Sequence, residues 1–297
     1  MKRLALLFLL FATPAFAEEP KSANPIIQKL QDISVTVRTA RGQGSGTMFN
    51  RTLGGNTITF VWTAGHVVDS LRKTRSVVVN GSPKLVVEFE DAQIVREFKE
   101  DGRRIGEIKM EAKVIRYSDA TQGEDLALLM VRKTNFVPAE QTATFYLDDE
   151  IPAIGTELYH VGSLLGQVGA NSLTTGVVSQ IGRVLDLGAN GVVFDQTTVT
   201  AFPGSSGGGV YLKADGRYVG ILLRGAGEQF NLIAPVRRLL EWAKTAKVEW
   251  AVDPKVPMPS AAELKKLPVE DTGTSFEGGS NSAKPHDTER FLLKLAR

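Results

Sequence analysis

Cysteine is absent from all 297 residues. That excludes disulfides, a thiol nucleophile and Cys-ligated zinc. Histidine is scarce: His66, His160 and His286 are the only three, far apart in the chain. They lack the i, i+4 spacing of a helical zinc site, so neither a metal nor another cofactor is expected. No apolar run approaches the roughly 20 residues a membrane-spanning helix needs. Net charge is missing too. With Lys2 and Arg3 set aside, 33 basic residues face 33 acidic ones. Composition therefore makes no case for nucleic acid or an anionic membrane as a partner.

The first residues carry an address. Lys2-Arg3, the apolar stretch Leu4–Ala12, Pro14 and Ala15-Phe16-Ala17 have the basic, apolar and small-residue order of a signal peptide. Residues 1–17 are read as that peptide, cleaved after Ala17. The mature chain is expected in a periplasm or outside the cell, without a stable membrane anchor. Residues 18–32 form a leader in which Pro20 and Pro25 discourage regular structure, with a short helix expected from Ile26 to Gln31. The sequence assigns no oligomeric state.

From Ile33 the pattern is β. Ser34-Val35-Thr36-Val37-Arg38 alternates, and Thr57–Trp62 is rich in β-branched and aromatic residues. Further strands are expected at Val77–Val79, Leu85–Phe89, Glu107–Ile115, Leu126–Val131, Glu157–Val161, Thr174–Ile181, Val192–Thr200, Gly208–Leu212 and Tyr218–Leu223. Many short strands with turn residues between them indicate an all-β sandwich or barrel. One helix comes late: Val236, Leu239, Leu240 and Ala243 share a face, with Arg237, Arg238, Glu241 and Lys244 on the others. Beyond Val252, Pro254, Pro257, Pro259 and Pro268 recur, and Gly273–Asp287 is polar. Residues 252–297 read as a flexible tail.

Ser206 lies in Phe202-Pro203-Gly204-Ser205-Ser206-Gly207-Gly208. The string fits G-x-S-G-G, G-x-S-x-G (the nucleophile elbow of α/β-hydrolases) and a plain glycine-rich turn. Two upstream residues decide. His66, in Trp62-Thr63-Ala64-Gly65-His66-Val67-Val68, ends one apolar strand, and Asp125, in Gly123-Glu124-Asp125-Leu126-Ala127, begins another. A serine hydroxyl needs a base near neutral pH, histidine titrates there, and a carboxylate orients the imidazole and stabilises its cation. N–H groups of Gly204 and Ser206 can stabilise an oxyanion. An elbow enzyme runs serine, acid, histidine and turns from the serine into a helix. Here the order is His66, Asp125, Ser206, and Gly208–Leu212 reads as a strand.

At these residues the chain resembles the trypsin-like serine peptidases, most of all the bacterial HtrA/Deg type. Gly44-Ser45-Gly46-Thr47 is similar to the GSG strand before the histidine, and Thr63-Ala64-Gly65-His66-Val67-Val68-Asp69 to the histidine box. Asp125-Leu126-Ala127-Leu128-Leu129 resembles the aspartate box, Gly162–Gly166 with Thr175–Ser179 the G-x-P-x-G and [ST]-G-[IV]-[IV]-S stretch, and Gly204–Gly208 the GNSGG box. The resemblance covers about residues 33–246. Ser205 departs from it, standing where Asn or Asp is usual. The His66–Asp125 interval is long, and the charged stretch Val95–Lys113 reads as an inserted surface loop or hairpin. No PDZ domain fits after the last helix.

The resemblance implies two chymotrypsin-like six-stranded β-barrels, about 33–140 and 150–235, and a C-terminal helix at 236–246. It implies a triad of His66, Asp125 and Ser206 in the cleft between them, with an oxyanion hole at Gly204 and Ser206. A peptide would pair with the strand near Leu223, Arg224 and Gly225, and neutral Thr200 would lie near the pocket floor. The expected protein is an exported serine endopeptidase that cleaves polypeptides through an acyl-enzyme. The alternative is a non-catalytic peptide-binding or chaperone-like module on the same fold. His160 is expected to be structural, and Arg224 is equally a substrate contact or an exposed loop residue.

Overall fold

The computed structural model describes residues 24–100, 102–185, 191–225 and 229–270. The expected signal peptide, residues 18–23 of the leader, His286 and the tail from 271 lie outside the described residues. Among the described residues no helix is long and apolar enough to cross a membrane.

The helix α1 (Pro25–Asp32) opens the fold. The Asn24 side chain accepts the Ile26 N–H, and Pro25 occupies the start of the helix, where an absent N–H costs nothing. Strands β1 (Ser34–Arg38), β2 (Gln43–Leu53) and β3 (Asn56–Ala64) follow, then the one-turn helix α2 (Gly65–Val68). Next come β4 (Arg72–Val79), β5 (Ser82–Phe89), β6 (Ala92–Glu100), β7 (Arg103–Tyr117) and β8 (Leu126–Val131). Six of these close a first barrel in the order β1-β2-β3-β8-β7-β6, while β4 and β5 form a hairpin of their own. Strands β9 (Glu157–Leu164), β10 (Gly169–Leu185), β11 (Val192–Thr197), β12 (Gly209–Leu212), β13 (Tyr218–Gly225) and β14 (Asn231–Pro235) close the second barrel. Its order is β10-β11-β14-β13-β12-β9. Two six-stranded barrels, each closed on itself, make this a chymotrypsin-like all-β fold.

Three features differ from the sequence reading. The stretch Val95–Lys113 is a hairpin, as one expectation had it, but it is part of the barrel and not an addition: it belongs to β6 and β7, where Val95 faces Thr36 of β1 and Lys113 faces Met130 of β8. Its charges are absorbed locally, as when buried Arg96 donates to Gln141 Oε1 at 2.7 Å. The added piece is the β4–β5 hairpin at 72–89. Strand β14 also escapes the alternation test, because all five of its residues are buried and a strand covered on both faces does not alternate.

Third, residues 252–270 are docked rather than flexible. The helix α3 (Val236–Thr245) buries Val236, Leu239, Trp242 and Ala243, and Trp242 meets Trp62 of β3 with ring centroids 5.8 Å apart. Just beyond it, Trp250 packs against Phe60 at 4.9 Å, and Trp62 Nε1 donates to Ala251 O at 3.0 Å. Arg51 then donates to Val256 O at 2.6 Å. The short helix α4 (Ala261–Leu264) is closed by reciprocal hydrogen bonds between Ser260 and Glu263. Tyr117 N donates to Val269 O at 2.7 Å, and Glu270 pairs with Arg72. Prolines prevent a long helix or strand here but not burial, since Val256, Met258, Leu264, Leu267 and Val269 all pack on the core.

Candidate active site

His66 sits on α2, where the chain leaves β3 after the fully buried run Phe60–Ala64. Asp125 ends the loop that joins β7 to β8. That loop is held by its own polar groups: Asp119 Oδ1 accepts the Thr121 and Gln122 N–H groups at 2.7 and 2.9 Å, and Ser118 Oγ accepts Glu124 N–H at 2.7 Å. Asp125 itself has φ 55°, a left-handed conformation that aspartate tolerates better than most residues. The Tyr117 hydroxyl donates to Asp69 Oδ1 at 2.7 Å and ties the aspartate loop to the segment after His66.

These supports bring His66 and Asp125 together. His66 Nδ1 lies 3.0 and 3.1 Å from the two carboxylate oxygens, and the His66 backbone N–H donates to Asp125 Oδ1 at 2.9 Å. The carboxylate is 3% exposed, so it cannot rely on water to keep its charge. Burial raises its pKa, but the charge and hydrogen bond of His66, with the charge of Arg224, outweigh burial and hold it below the usual carboxylate value. Burial likewise disfavours the imidazolium, and Asp125 overcomes this, so the His66 pKa is raised.

Ser206 comes from the other barrel, in the loop that precedes β12. Ser45 on β2 reaches across to hold that loop at two points: its N–H donates to Ser206 O and its Oγ donates to Gly204 O, each at 2.7 Å. Val67, next to His66, fills the space a side chain at Gly44 would occupy, and Ser206 O borders the same space. The Ser206 carbonyl and Val67, the residue after His66, thus border one small space beside Gly44. The loop is also closed internally, because Ser205 N donates to Phe202 O at 2.9 Å and Ser205 Oγ accepts from Phe202 N at 3.0 Å.

The Pro203–Gly204 and Ser205–Ser206 peptide groups have fixed directions. Leu165 N–H donates to Pro203 O at 2.7 Å, and Gly208 N–H donates to Ser205 O at 3.0 Å. In a trans peptide the C=O and N–H point oppositely, so the N–H groups of Gly204 and Ser206 are turned away from those anchors. Gly204 has φ 96°, and a side chain there would run into Ser163 O and Gly166 N, so only glycine fits.

The remaining expected residues fall around this centre. Thr200 is exposed, and its carbonyl accepts from Thr174 Oγ1 at 3.1 Å. Leu223 is buried and is the extra residue of a bulge in β13, between Leu222, which faces Ile233, and Arg224, which faces Leu232. Gly225 is exposed at the strand end. Arg224 turns its guanidinium inward, to Ala120 O at 2.7 Å and Asp125 Oδ2 at 3.4 Å. His160 is fully buried in the second barrel beneath Gly208 and donates from Nδ1 to Gly209 O at 3.0 Å. Burial pushes its pKa down to about 4, against the pull of that hydrogen bond, so the ring is neutral at pH 7.

Two supporting residues escape the sequence reading. Helical spacing puts Arg238 on an outer face of the last helix, yet it is 8% exposed and donates to the Glu124 side chain and carbonyl, one residue before Asp125. Its guanidinium also stacks on Phe194 at 4.7 Å, and helical spacing alone cannot distinguish such a buried pair from a solvated arginine. Leu165 adopts φ 60° to aim its N–H at Pro203, and only the flanking Gly166 hints at a turn there.

A family model for the trypsin-like peptidase domain matches residues 44–221. Deg5 has a solved structure that superposes with a TM-score of 0.51 at 21% identity, covering 73% of this chain and 90% of that one. The serine endoprotease from Yersinia pestis gives 0.52 at 20% identity, covering 78% and 68%. At such identities these neighbours speak to the fold. No curated protein matches the chain. The family match spans both barrels and carries the segments of His66, Asp125 and Ser206 alike, and by it the chain belongs to the trypsin-like serine peptidase family.

Proposed function

We propose that the protein is an exported serine endopeptidase whose triad is His66, Asp125 and Ser206. The reading is carried by the buried Asp125 carboxylate on His66 Nδ1, with the Ser206 loop held beside it by Ser45. In the first step Ser206 Oγ attacks the scissile carbonyl and its proton passes to His66 Nε2. The carbonyl electron pair moves to oxygen, where the Gly204 and Ser206 N–H groups receive it. His66 returns the proton to the leaving amine, an acyl-enzyme forms, and water releases it by the reverse sequence. Asp125 stays ionised and steadies the imidazolium. The substrate is a polypeptide lying along Leu223-Arg224-Gly225 as an added strand, with its P1 side chain toward neutral Thr200, which favours a small or medium apolar residue over Lys or Arg.

A fluorophosphonate probe is expected to label Ser206. Ser206→Ala should lose both labelling and cleavage of fluorescein-casein while keeping its fold. Turnover that survives in this variant rules out the assignment. Export rests on residues 1–17, and the mature N-terminus should be Glu18 by N-terminal sequencing.

A further inference from the structure

The bulge at Leu223 interrupts the alternation of β13, and the residue after it sends a cation across the interbarrel cleft to the aspartate loop of the first barrel. We propose that Arg224 is a positioning residue for the acid–base pair: it fixes the Asp125 carboxylate against His66 and sets a second cation beside the imidazole. This rests on His66 acting as the base of the proposed peptidase. It also gives an inward role to a side chain that sequence reading leaves between substrate contact and exposed loop.

The contacts divide the work. Ala120 O, at 2.7 Å, is the anchor of the guanidinium, and Asp125 Oδ2, at 3.4 Å, is the group it steers. Asp125 Oδ1 is claimed by the His66 backbone N–H, so a donor on Oδ2 leaves the carboxylate little freedom to rotate. The side chains of Arg224 and Asp125 are 16% and 3% exposed, so water screens their attraction weakly. Charge counting gives the consequence. A protonated His66 with Asp125 alone is a neutral pair, and Arg224 sets a further positive charge beside it. Arg224 therefore opposes protonation of His66, in the sense opposite to Asp125.

Among the described residues, the other charges near His66 and Asp125 are committed elsewhere or lie further out. Asp69 faces His66 and is held by the Tyr117 hydroxyl, whose second contact is Asp119 at 3.3 Å. Arg238, on α3, approaches Asp125 but is bound to Glu124 at 2.5 Å. Arg224 is the cation in hydrogen-bond reach of the Asp125 carboxylate from the second barrel. The device keeps the base neutral, and thus competent, to a lower pH than the histidine–aspartate pair would by itself.

The test compares wild type with Arg224→Gln, which keeps a donor for Ala120 O and removes the charge, and with Arg224→Lys, which keeps the charge and loses the fork. Two readouts are taken: the fluorophosphonate labelling rate against pH, and the His66 imidazole titration by NMR in a Ser206→Ala background. Arg224→Gln should move the acid limb and the imidazole titration upward together by about one pH unit, with Arg224→Lys shifted far less. Coincident titrations in Arg224→Gln and wild type, with both proteins folded by thermal melt, overturn the proposal. If Arg224→Gln fails to fold, the Arg224→Lys variant with salt titration of the His66 pKa decides the same point. Should the protein label with no probe at all, the NMR titration still judges Arg224, so failure of the peptidase reading is seen separately.

Discussion

Ser45 Oγ donates to Gly204 O at 2.7 Å, and with the bond from its N–H to Ser206 O it joins the first barrel to the loop of the second that carries Ser206. The same hydroxyl accepts Ser163 N–H at 2.7 Å, and Ser163 Oγ lies 2.6 Å from Thr36 Oγ1 on β1. Thr63 Oγ1 completes the arrangement by donating to Ser45 O at 2.7 Å. A row of buried hydroxyls thus stands between the two barrels where the Ser206 loop is held.

Ser45→Ala orphans a half-buried carbonyl, that of Gly204, and a buried N–H, that of Ser163. The expected loss of stability is about 1–3 kcal/mol, read by urea unfolding. Fluorophosphonate labelling should slow at least about tenfold, since the Gly204 peptide is no longer pinned on this side. A variant that loses stability but labels at the wild-type rate would show that the hydroxyl row serves folding alone.

The labelling rate should also depend on pH in a defined direction. In the proposed mechanism a protonated His66 cannot accept the Ser206 proton, so reactivity is expected to be lost as pH falls through the His66 pKa. Asp125 raises that pKa above the ordinary 6.5. The midpoint of the acid limb is therefore expected above 6.5, and a midpoint below it contradicts the strong coupling to Asp125.

His160 predicts a different pH effect, on stability. Its folded pKa of about 4 lies below the unfolded value of 6.5, so the unfolded chain takes up the proton first. Its contribution is full above pH 6.5 and is lost as pH falls toward 4, by about 3 kcal/mol across the window. Urea unfolding from pH 7 to pH 4 should show this slope in wild type and a flatter one in His160→Gln. Equal slopes would remove His160 from the account.

The segment after α3 is expected to act as part of the fold. Trp250 is 3% exposed and packs on Phe60, so Trp250→Ala should cost about 3–5 kcal/mol. A cost below about 1 kcal/mol, the range of exposed sites, would mean that the chain beyond residue 248 is not anchored there.

Much of the barrel architecture is legible from apolar and β-branched runs bounded by turn residues. Apolar and polar residues alternate along Ser34–Arg38, although its first four residues are all buried, and the apolar run Leu126–Val131 coincides with β8. The signal fails for two reasons. The wholly buried β14 does not alternate, and charged side chains disguise β6, where Arg96 and Glu97 are buried with partners. Proline in 252–270 limits regular structure to one short helix, but flexibility does not follow, because irregular backbone packs as well as regular backbone when its apolar residues find a surface.

By itself the sequence determined which chemistry is open to this protein. With no cysteine and three histidines, the order of His66, Asp125 and Ser206 left serine hydrolysis as the matching reaction, and the strand after Ser206 excluded an elbow. Those facts depend on residue type and order, which local physics can read. Tertiary structure decided what surrounds each group: that Arg224 faces Asp125, that Arg238 holds Glu124, and that Ser45 grips the Ser206 loop. Each is a contact between segments distant in the chain, and its energy depends on burial and direction, which emerge only when the barrels have closed.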